Sequence, residues 1–557
     1  SGVFLYSRNL PKEGRQALRA SLSNDSEIVD LQWDGYGLVT VHRIAQGGGL
    51  TLRVNGKVDA STGAEDMRTQ AFLADLPMLH HPAPRKVLVV GLGAGVTAGA
   101  ATRYDVERVD CVEISPAVAS AARHFREVNH GCLENPRLRL RIGDGRQAVR
   151  YAREPYDVII CEPSNLWLSG MANLFTHDFF REASRALTDD GVFCQWIHAY
   201  RLGSEDFKAI LRTFYDVFPG GSVWEILPGG DYLLLGTRRP VALPFDGFRA
   251  RVEAVAARAP HLRDPFHPPL PGLMSHLVAD AATVRAAAGP GDLLTDDRCR
   301  VEYTAPFSLY REDRASTLGW LDGVRGGTPE SVLYAGATEE DRRPLGARRQ
   351  SRRAIARAMA IYTAPPPAQT GPGHYDPRGP EALAAMKAAV EQFGEDGEGR
   401  RLLESRSLEL MRDAGASHKA GHPEVAARYL SAVPSGVRVT LEARLLLGRL
   451  LLEARDVAGA RRAYEEALSI DGRSYVATTG LASVAGGEGR LDEALRLWAA
   501  AAALRPDEAV PWLAQAQIHA RTNRAADARA ACDEAMKRGK GSPEVKEAVD
   551  QILQRTK

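Results

Sequence analysis

The 557-residue chain is poor in cysteine, in aromatics and in net charge. Its six cysteines, Cys111, Cys132, Cys161, Cys194, Cys299 and Cys532, are scattered and form no CxxC pair. That excludes the common zinc and dithiol motifs, and no metal is expected. Cys111, Cys161 and Cys194 fall in apolar, strand-like runs and read as small core residues of a reducing compartment. Basic and acidic side chains number 71 and 70, a net charge of +1, so no field favours nucleic acid or an anionic lipid surface. The Arg-rich stretch from Arg348 reads as a solvated helix face. No apolar run reaches the ~18 residues a bilayer-crossing helix needs. No signal peptide is visible, and the chain opens Ser-Gly-Val without a Met, which leaves an upstream segment open.

What is present has the length of about three or four folding units. Residues 1–76 read as a small β-rich domain: "GLVTVHRI" and "LTLRVNG" alternate polar and apolar residues, and "QGGGLTLRVNGKVDAS" is hairpin material. Residues 77–310 alternate strands and helices. "KVLVVGLGAG", "RVDCVEI", "RLRLRIGDG", "YDVIIC" and "GVFCQWI" are the strands. "PAVASAARHFREV" opens on Pro116 and "THDFFREASRAL" is capped by Thr176. Such alternation predicts a parallel sheet covered on both faces. "GSVWEIL" and "DYLLLGT", joined by a short turn, pair antiparallel and give a mixed sheet with one antiparallel edge strand. Residues 311–379 are a charged helical segment followed by a Pro/Gly-rich linker, Thr363 to Pro380.

Residues 380–557 repeat. Ala426, Ala460, Ala494 and Ala528 are 34 residues apart; Tyr464, Trp498 and Cys532 keep the step, as do Ala467, Ala501 and Ala535. Gly448, Ala482 and Ala516 hold the small position of the preceding helix. This is the tetratricopeptide period, and it predicts an all-α repeat domain with a surface for a protein or peptide partner.

Three strand ends carry groups suited to one ligand. Gly91, Gly93 and Gly95 close the first strand and open a helix, which lets a ligand approach backbone N–H groups. Glu113 ends the second strand, 20 residues after Gly93, where an acid accepts from two ribose hydroxyls. Asp144-Gly145 ends the third, where an acid accepts from an adenine amino group. Together they predict an adenosine-containing ligand. NAD is one candidate, but the pattern is GxGxGxT and lacks the third glycine of GxGxxG; "VEI" followed by "GDG" fits S-adenosylmethionine enzymes better. Glu162 ends the fourth strand and can act as a base, with Asn165 orienting an acceptor. Trp167 reads as core cover and His198 as a structural histidine. Asp296-Asp297 reads as a turn with an Asp–Arg pair. His80-His81 has no companion ligands nearby in sequence.

From Leu50 to Thr237 the chain resembles the spermidine synthase (polyamine aminopropyltransferase) family. The matching pieces are "LRVNGKVDAS", "EDMRTQAFLADLPML", "VLVVGLGAGVT", "VEISPAVASAAR", "GDGRQAV", "YDVIICEPSN" and "ANLFTHDFF". The resemblance implies an N-terminal β part over a Rossmann-like, S-adenosylmethionine-dependent methyltransferase fold. It implies a transferase of polyamine biosynthesis that takes decarboxylated S-adenosylmethionine or a close relative and releases methylthioadenosine. Its donor-binding residues would be Gln70, Gly91, Gly93, Gly95, Glu113, Asp144 and Gly145, and its catalytic residues Glu162 and Asn165. Versions of the family fused to tetratricopeptide tails and upstream membrane segments share this layout, which implies a cytoplasmic location with a tether outside this chain left open. Homo-oligomerisation is left open too.

The departures bear on the substrate. Ala94 stands where the family has an acid that holds the donor's cationic tail. Thr69 stands for its tyrosine, Asn165 for the second acid of the fourth-strand loop, and a later tyrosine is replaced around Trp224 to Ile226. A dication needs carboxylates to offset its desolvation, so these changes weaken putrescine binding. The neutral Ala94 also admits intact S-adenosylmethionine. Three alternatives stay open: a methyltransferase, a donor-cleaving or cyclising enzyme, and a non-catalytic ligand-sensing scaffold.

Overall fold

The computed structural model describes residues 26–45, 47–239, 245–257, 269–308, 313–327, 336–365, 367, 373–393, 397–540 and 542–555. Residues 1–25 of the expected β-rich segment, and 366 and 368–372 of the expected linker, lie outside the described residues. The chain divides into two compact units, Ser1–Pro365 with Ala389–Gly397, and Pro366–Ala388 with Glu398–Lys557.

In the first unit, β1 (Ser26–Asp34), β2 (Gly37–Ile44), β3 (Leu50–Val54) and β4 (Lys57–Ser61) form an antiparallel sheet in sequence order. The β3–β4 turn is Asn55-Gly56, with φ of +51° and +81°, the geometry that closes a two-residue hairpin along the strand twist. Val39, Val41, Leu52 and Ala60 pack from this sheet onto Ala94, Val96, Ala117 and Phe125, so the small sheet braces the Gly-rich turn. Helix α1 (Ala64–His80) follows. It is buried from Thr69 to Leu79 and runs continuously across the expected domain boundary at residue 76.

The second sheet has the order β12-β10-β11-β9-β8-β5-β6-β7. Its strands are β5 (Lys86–Val90), β6 (Arg108–Glu113), β7 (Leu138–Ile142), β8 (Tyr156–Cys161), β9 (Leu187–His198), β10 (Gly220–Glu225), β11 (Asp231–Thr237) and β12 (Leu277–Asp280). Strands β7, β6, β5, β8 and β9 are parallel. Their alternate side chains enter two cores. Val87, Val89, Val158 and Ile160 join Phe72 and Leu76 of α1 on one face; Leu88, Ile159 and Cys161 join Phe179, Phe180, Phe207 and Phe214 on the other. Burial on both faces is why β5, β6, β8 and β9 are rich in apolar residues, whereas the edge strand β7 alternates Leu with Arg and stays partly exposed. This is a Rossmann-like, methyltransferase-type fold. The chain leaves β5 toward β6 on one side and returns to β8 on the other, which opens a crevice at the strands' carboxyl ends.

Two expectations are corrected. Instead of one antiparallel edge strand, β11 is inserted between β9 and β10 and runs against both, and the short β12 adds a second reversed strand at the edge. The tight turn after β10 folds β11 back inside the sheet, and β12, only four residues long, has too little pattern to show in sequence. The Arg-rich stretch is not a solvated face. Arg348, Arg349 and Arg352 are buried in helix Glu339–Thr363, with Arg352 2% exposed. Glu225, fully buried at the end of β10, explains part of this: it pairs with Arg325 at 2.8 Å, and Arg352 donates to the carbonyls of Glu225 and Ile226 at 2.7 and 2.9 Å.

In the second unit consecutive helices pack in pairs: Thr440–Glu453 with Val457–Ile470, Tyr475–Gly487 with Leu491–Leu504, and Val510–Arg521 with Ala525–Arg538. Ala460, Ala494 and Ala528 are fully buried, as are Ala482 and Ala516. A Cβ added to Gly448 or Gly480 would lie 2.7 or 2.4 Å from the Tyr464 ring, so the small residues make room for the large one. Among the described residues no helix is long and apolar enough to cross a membrane.

Candidate active site

The expected residues Gly91, Gly93, Gly95, Glu113, Asp144, Gly145, Glu162 and Asn165 all lie at or just beyond the carboxyl ends of β5, β6, β7 and β8. Gly91 leaves β5 with φ +97°, and a Cβ there would meet the Glu162 carbonyl oxygen at 2.5 Å. Gly93 (φ +54°) has nothing within 4 Å of its would-be Cβ, so the turn presents open space there. Gly95 (φ +81°) caps α2 (Val96–Ala101) and abuts Asn129 and Cys132. Gly145 lets Val90 approach to 2.3 Å of a would-be Cβ.

Glu113 is nearly buried, and burial pushes its carboxyl up. Its two oxygens accept from the Leu92 and Ser115 N–H groups, both at 2.9 Å. The Gly93 and Ile114 N–H groups also favour its charged form, so the carboxylate sits in a cluster of backbone donors at the end of β6. Asp144 is exposed and caps helix Gly145–Arg150, with Oδ1 accepting from Arg146 and Gln147 N–H. Its second oxygen makes no bond among the described residues and is available to an amino group. The turn, the acid at β6 and the acid at β7 therefore fit an adenosine-type ligand.

Glu162 N–H donates to the Val90 carbonyl, which fixes the loop after β8 against the Gly-rich turn. The side chain is only partly open to solvent. Burial, with smaller repulsion from Asp66, Asp231 and Glu113, pushes its pKa up to about 8 despite the Thr97 hydroxyl beside it. That hydroxyl oxygen lies 2.7 Å from Glu162 Oε2 and 2.9 Å from the Gln70 carbonyl oxygen. One hydroxyl proton cannot serve two acceptors. The arrangement is complete when Glu162 is protonated and donates to Thr97, while Thr97 donates to Gln70. Gln70 turns its amide onto the Ser61 and Asp66 carbonyls, at 3.4 and 3.2 Å, so its side chain joins α1 to β4.

Asn165 is buried and donates to the Tyr200 hydroxyl at 3.1 Å. Trp167 meets the rings of His198 and Tyr200 edge-on, with centroids 4.7 and 6.0 Å away. His198 is fully buried and neutral. Its Nδ1 donates to the Tyr200 carbonyl at 2.8 Å, its Nε2 accepts from Leu166 N–H at 3.3 Å, and burial drives its pKa down to about 3. Both nitrogens are spent on holding the loop. Asp296 grips Arg146 through both oxygens, at 2.9 and 2.7 Å. His80 donates to the Leu76 carbonyl with its pKa lowered by burial to about 4, and His81 faces Asp190 at 3.7 Å.

The structure adds residues that sequence reading missed. Asp231 opens β11 opposite His198, accepts from the Thr69 hydroxyl at 2.8 Å, and is pushed up to about 7 by burial. Asp66 on α1 is raised by burial as well. Lys57 pairs with Asp59 and donates to Ser164 Oγ at 3.3 Å; Ser164 donates to Asp59 at 2.6 Å, so β4 is tied to the loop after β8. Thr97 was visible as the last residue of GxGxGxT. Asp231 carried no comparable signal, because the strand it begins runs against its neighbours.

Gly91→Ala tests how tightly turn and loop are fitted. The new Cβ meets backbone at 2.5 Å in a left-handed conformation. A loss of about 1–3 kcal/mol is expected, read as a lower Tm, together with a fall in turnover as the Glu162 loop shifts.

Residues 66–227 match the family model of the spermine/spermidine synthase domain. The chain is 30% identical over 174 residues to a polyamine aminopropyltransferase of Thermotoga maritima, covering 31% of this chain and 58% of that one. It is 30% identical over 184 residues to putrescine N-methyltransferase 2 of Nicotiana attenuata, covering 32% of this chain and 49% of the relative. The chain thus spans about half to three-fifths of the length of these curated relatives. The solved spermidine synthase of Thermotoga maritima is 24% identical over 40% of this chain and 77% of its own, with a TM-score of 0.35. Over residues 66–227 the chain is similar to the spermine/spermidine synthase domain.

Proposed function

We propose that the protein is an alkyl transferase that moves an aminopropyl-type group from decarboxylated or intact S-adenosylmethionine to an amine. The observation that carries this reading is the contact between the two halves of the site. Glu162, a carboxyl group tuned to about 8, sits on the loop whose backbone touches the Gly91 turn. A base and a donor cradle are thereby held at the ends of adjacent strands. When bound, the sulfonium donor supplies an activated carbon with methylthioadenosine as leaving group. Gly91, Gly93 and Gly95 admit its backbone-facing part, Glu113 takes the ribose hydroxyls, and Asp144 takes the adenine amino group beside Gly145. Glu162 takes the proton of the attacking ammonium, so the nitrogen lone pair is freed beside the donor carbon. Gln70 and Asn165 fix the walls on either side. The relative named a polyamine aminopropyltransferase supports the reaction class.

A second reading is methyl transfer. It is favoured by the relative named putrescine N-methyltransferase 2 and by Ala94, which is neutral and would not repel a donor carboxylate. Mass spectrometry of donor turnover decides between them. Methylthioadenosine formed with an amine acceptor is the expected product; S-adenosylhomocysteine would replace the first reading with the second. We read the helix pairs of the second unit as tetratricopeptide repeats that bind a protein partner, and place the protein in the cytoplasm with any membrane tether outside this chain.

A further inference from the structure

We propose that Thr97 is a positioning residue of the site: its hydroxyl holds the Glu162 carboxyl by Oε2 and leaves Oε1 as the oxygen that takes the proton of the attacking ammonium. The inference rests on the alkyl-transfer reading above and adds the residue that orients its base.

The first observation is how the rest of Glu162 is held. Its N–H donates to the Val90 carbonyl at 2.9 Å, and its own carbonyl oxygen lies 2.5 Å from where a Cβ at Gly91 would stand. The strand end and turn that precede Thr97 thus fix the backbone of the base. The side chain can still turn about its own bonds unless something holds its tip. Among the described residues, Thr97 is the only hydrogen-bond partner of the carboxyl, at 2.7 Å from Oε2.

The second observation is that Thr97 is itself anchored. It is 1% exposed, lies in the first turn of α2, and sets its hydroxyl oxygen 2.9 Å from the Gln70 carbonyl oxygen of α1. A β-branched side chain has little rotamer freedom, so the hydroxyl cannot follow a wandering carboxyl.

The third is the chemistry of a hydroxyl, which both donates and accepts. Neutral Glu162 donates from Oε2 to Thr97, and Thr97 donates to Gln70. Ionised Glu162 only accepts, and Thr97 turns its proton onto Oε2 in a stronger, charge-assisted bond. Oε2 is engaged in both states. Oε1 has no hydrogen bond among the described residues, and the side chain is partly open to solvent. The ammonium proton therefore moves to Oε1, and the electron pair of the broken N–H bond stays on nitrogen. The ionisable groups facing Glu162 are Asp66 on α1, Glu113 on β6, Asp231 on β11 and the buried thiols of Cys111, Cys161 and Cys194. None of these favours its charged form, whereas Thr97 does.

The test uses the full-length protein. Thr97→Val keeps the shape and removes the hydroxyl, Thr97→Ala is a second hydroxyl-free variant, and Thr97→Ser keeps the hydroxyl. Steady-state kinetics follows decarboxylated S-adenosylmethionine with 1,4-diaminobutane against pH, and calorimetry measures methylthioadenosine binding. The carboxylic C=O infrared band that Glu162→Gln removes reports the titration of Glu162 without turnover. The hydroxyl-free variants are expected to lose about 10- to 100-fold in kcat with methylthioadenosine affinity unchanged. Their kcat/KM limb and infrared midpoint are expected to move together to higher pH, by about 0.5 or more. Thr97→Ser should stay close to wild type. An infrared midpoint that stays or falls in the hydroxyl-free variants overturns the proposal. So does a loss of methylthioadenosine affinity as large as the loss of kcat, which would make Thr97 a support of the turn alone. A shifted midpoint in a protein that transfers no alkyl group sustains the Thr97–Glu162 pair and rejects the transferase reading. Alkyl transfer by the wild type with no shift in the variants keeps that reading and rejects the pair.

Discussion

Glu162→Gln should abolish turnover, by about 10²- to 10⁴-fold, while donor binding persists. The amide keeps the size of the side chain and can still bond Thr97, but it cannot take a proton. With its pKa near 8, Glu162 is mostly protonated in the free protein at pH 7. The wild-type kcat/KM is therefore expected to rise as pH increases through about 8. A pH-rate profile that lacks this limb would remove Glu162 from the base role. The same group leaves a mark on stability. Its folded pKa lies above the ordinary value of 4.5, so the neutral native form is favoured. The stabilisation is complete below 4.5 and is lost as pH rises toward about 8. Within that window one such group contributes a slope of about 1.4 kcal/mol per pH unit. Glu162→Gln should flatten the decline in denaturant midpoint across this range, and Asp231 should retain a smaller decline at lower pH.

Glu225→Ala is expected to be the most destabilising single change in the first unit. Glu225 is fully buried, pairs with Arg325, lies 3.6 Å from Arg352 and accepts from the Tyr232 hydroxyl at 2.7 Å. Removing one partner of a buried ion pair costs about 3–5 kcal/mol, because guanidinium charge stays in a low-dielectric interior without its carboxylate. A fall in Tm of roughly 10 °C follows from that figure. The effect should reach the site as well. Arg352 holds the carbonyls of Glu225 and Ile226, the last supports before the turn that delivers Asp231. Thermal unfolding measured beside amine affinity would separate the two consequences. A near-neutral variant would show that the network adds little to the fold.

The proposed donor half was legible in sequence because its groups sit at the ends of strand-like runs. Gly91, Glu113 and Glu162 stand at the ends of parallel strands buried on both faces, which announce themselves by composition, and Asp144 follows the alternating edge strand β7. The acceptor half was not. Asp231 precedes its strand, Tyr200 lies past the end of β9, and Thr69 looked only like a replaced tyrosine. His198 stood at a suitable strand end, yet its two nitrogens are committed to Tyr200 and Leu166. The Arg348–Arg352 run illustrates the same limit. Charge in a helix reads as surface unless the buried acid that receives it, here more than a hundred residues away, is known.

By itself, then, the sequence determined the alternating parallel architecture, the glycine turn and the succession of acids along it, since these depend on local periodicity and on which residues tolerate positive φ. It also set the 34-residue spacing of small residues that later prove buried. Only the tertiary structure decided which acids are buried enough to hold a proton, which histidine is spent on a loop, and that an antiparallel strand sets Asp231 beside His198. Ionisation and specificity depend on distance and desolvation between residues far apart in the chain, and those quantities exist only once the chain has closed on itself.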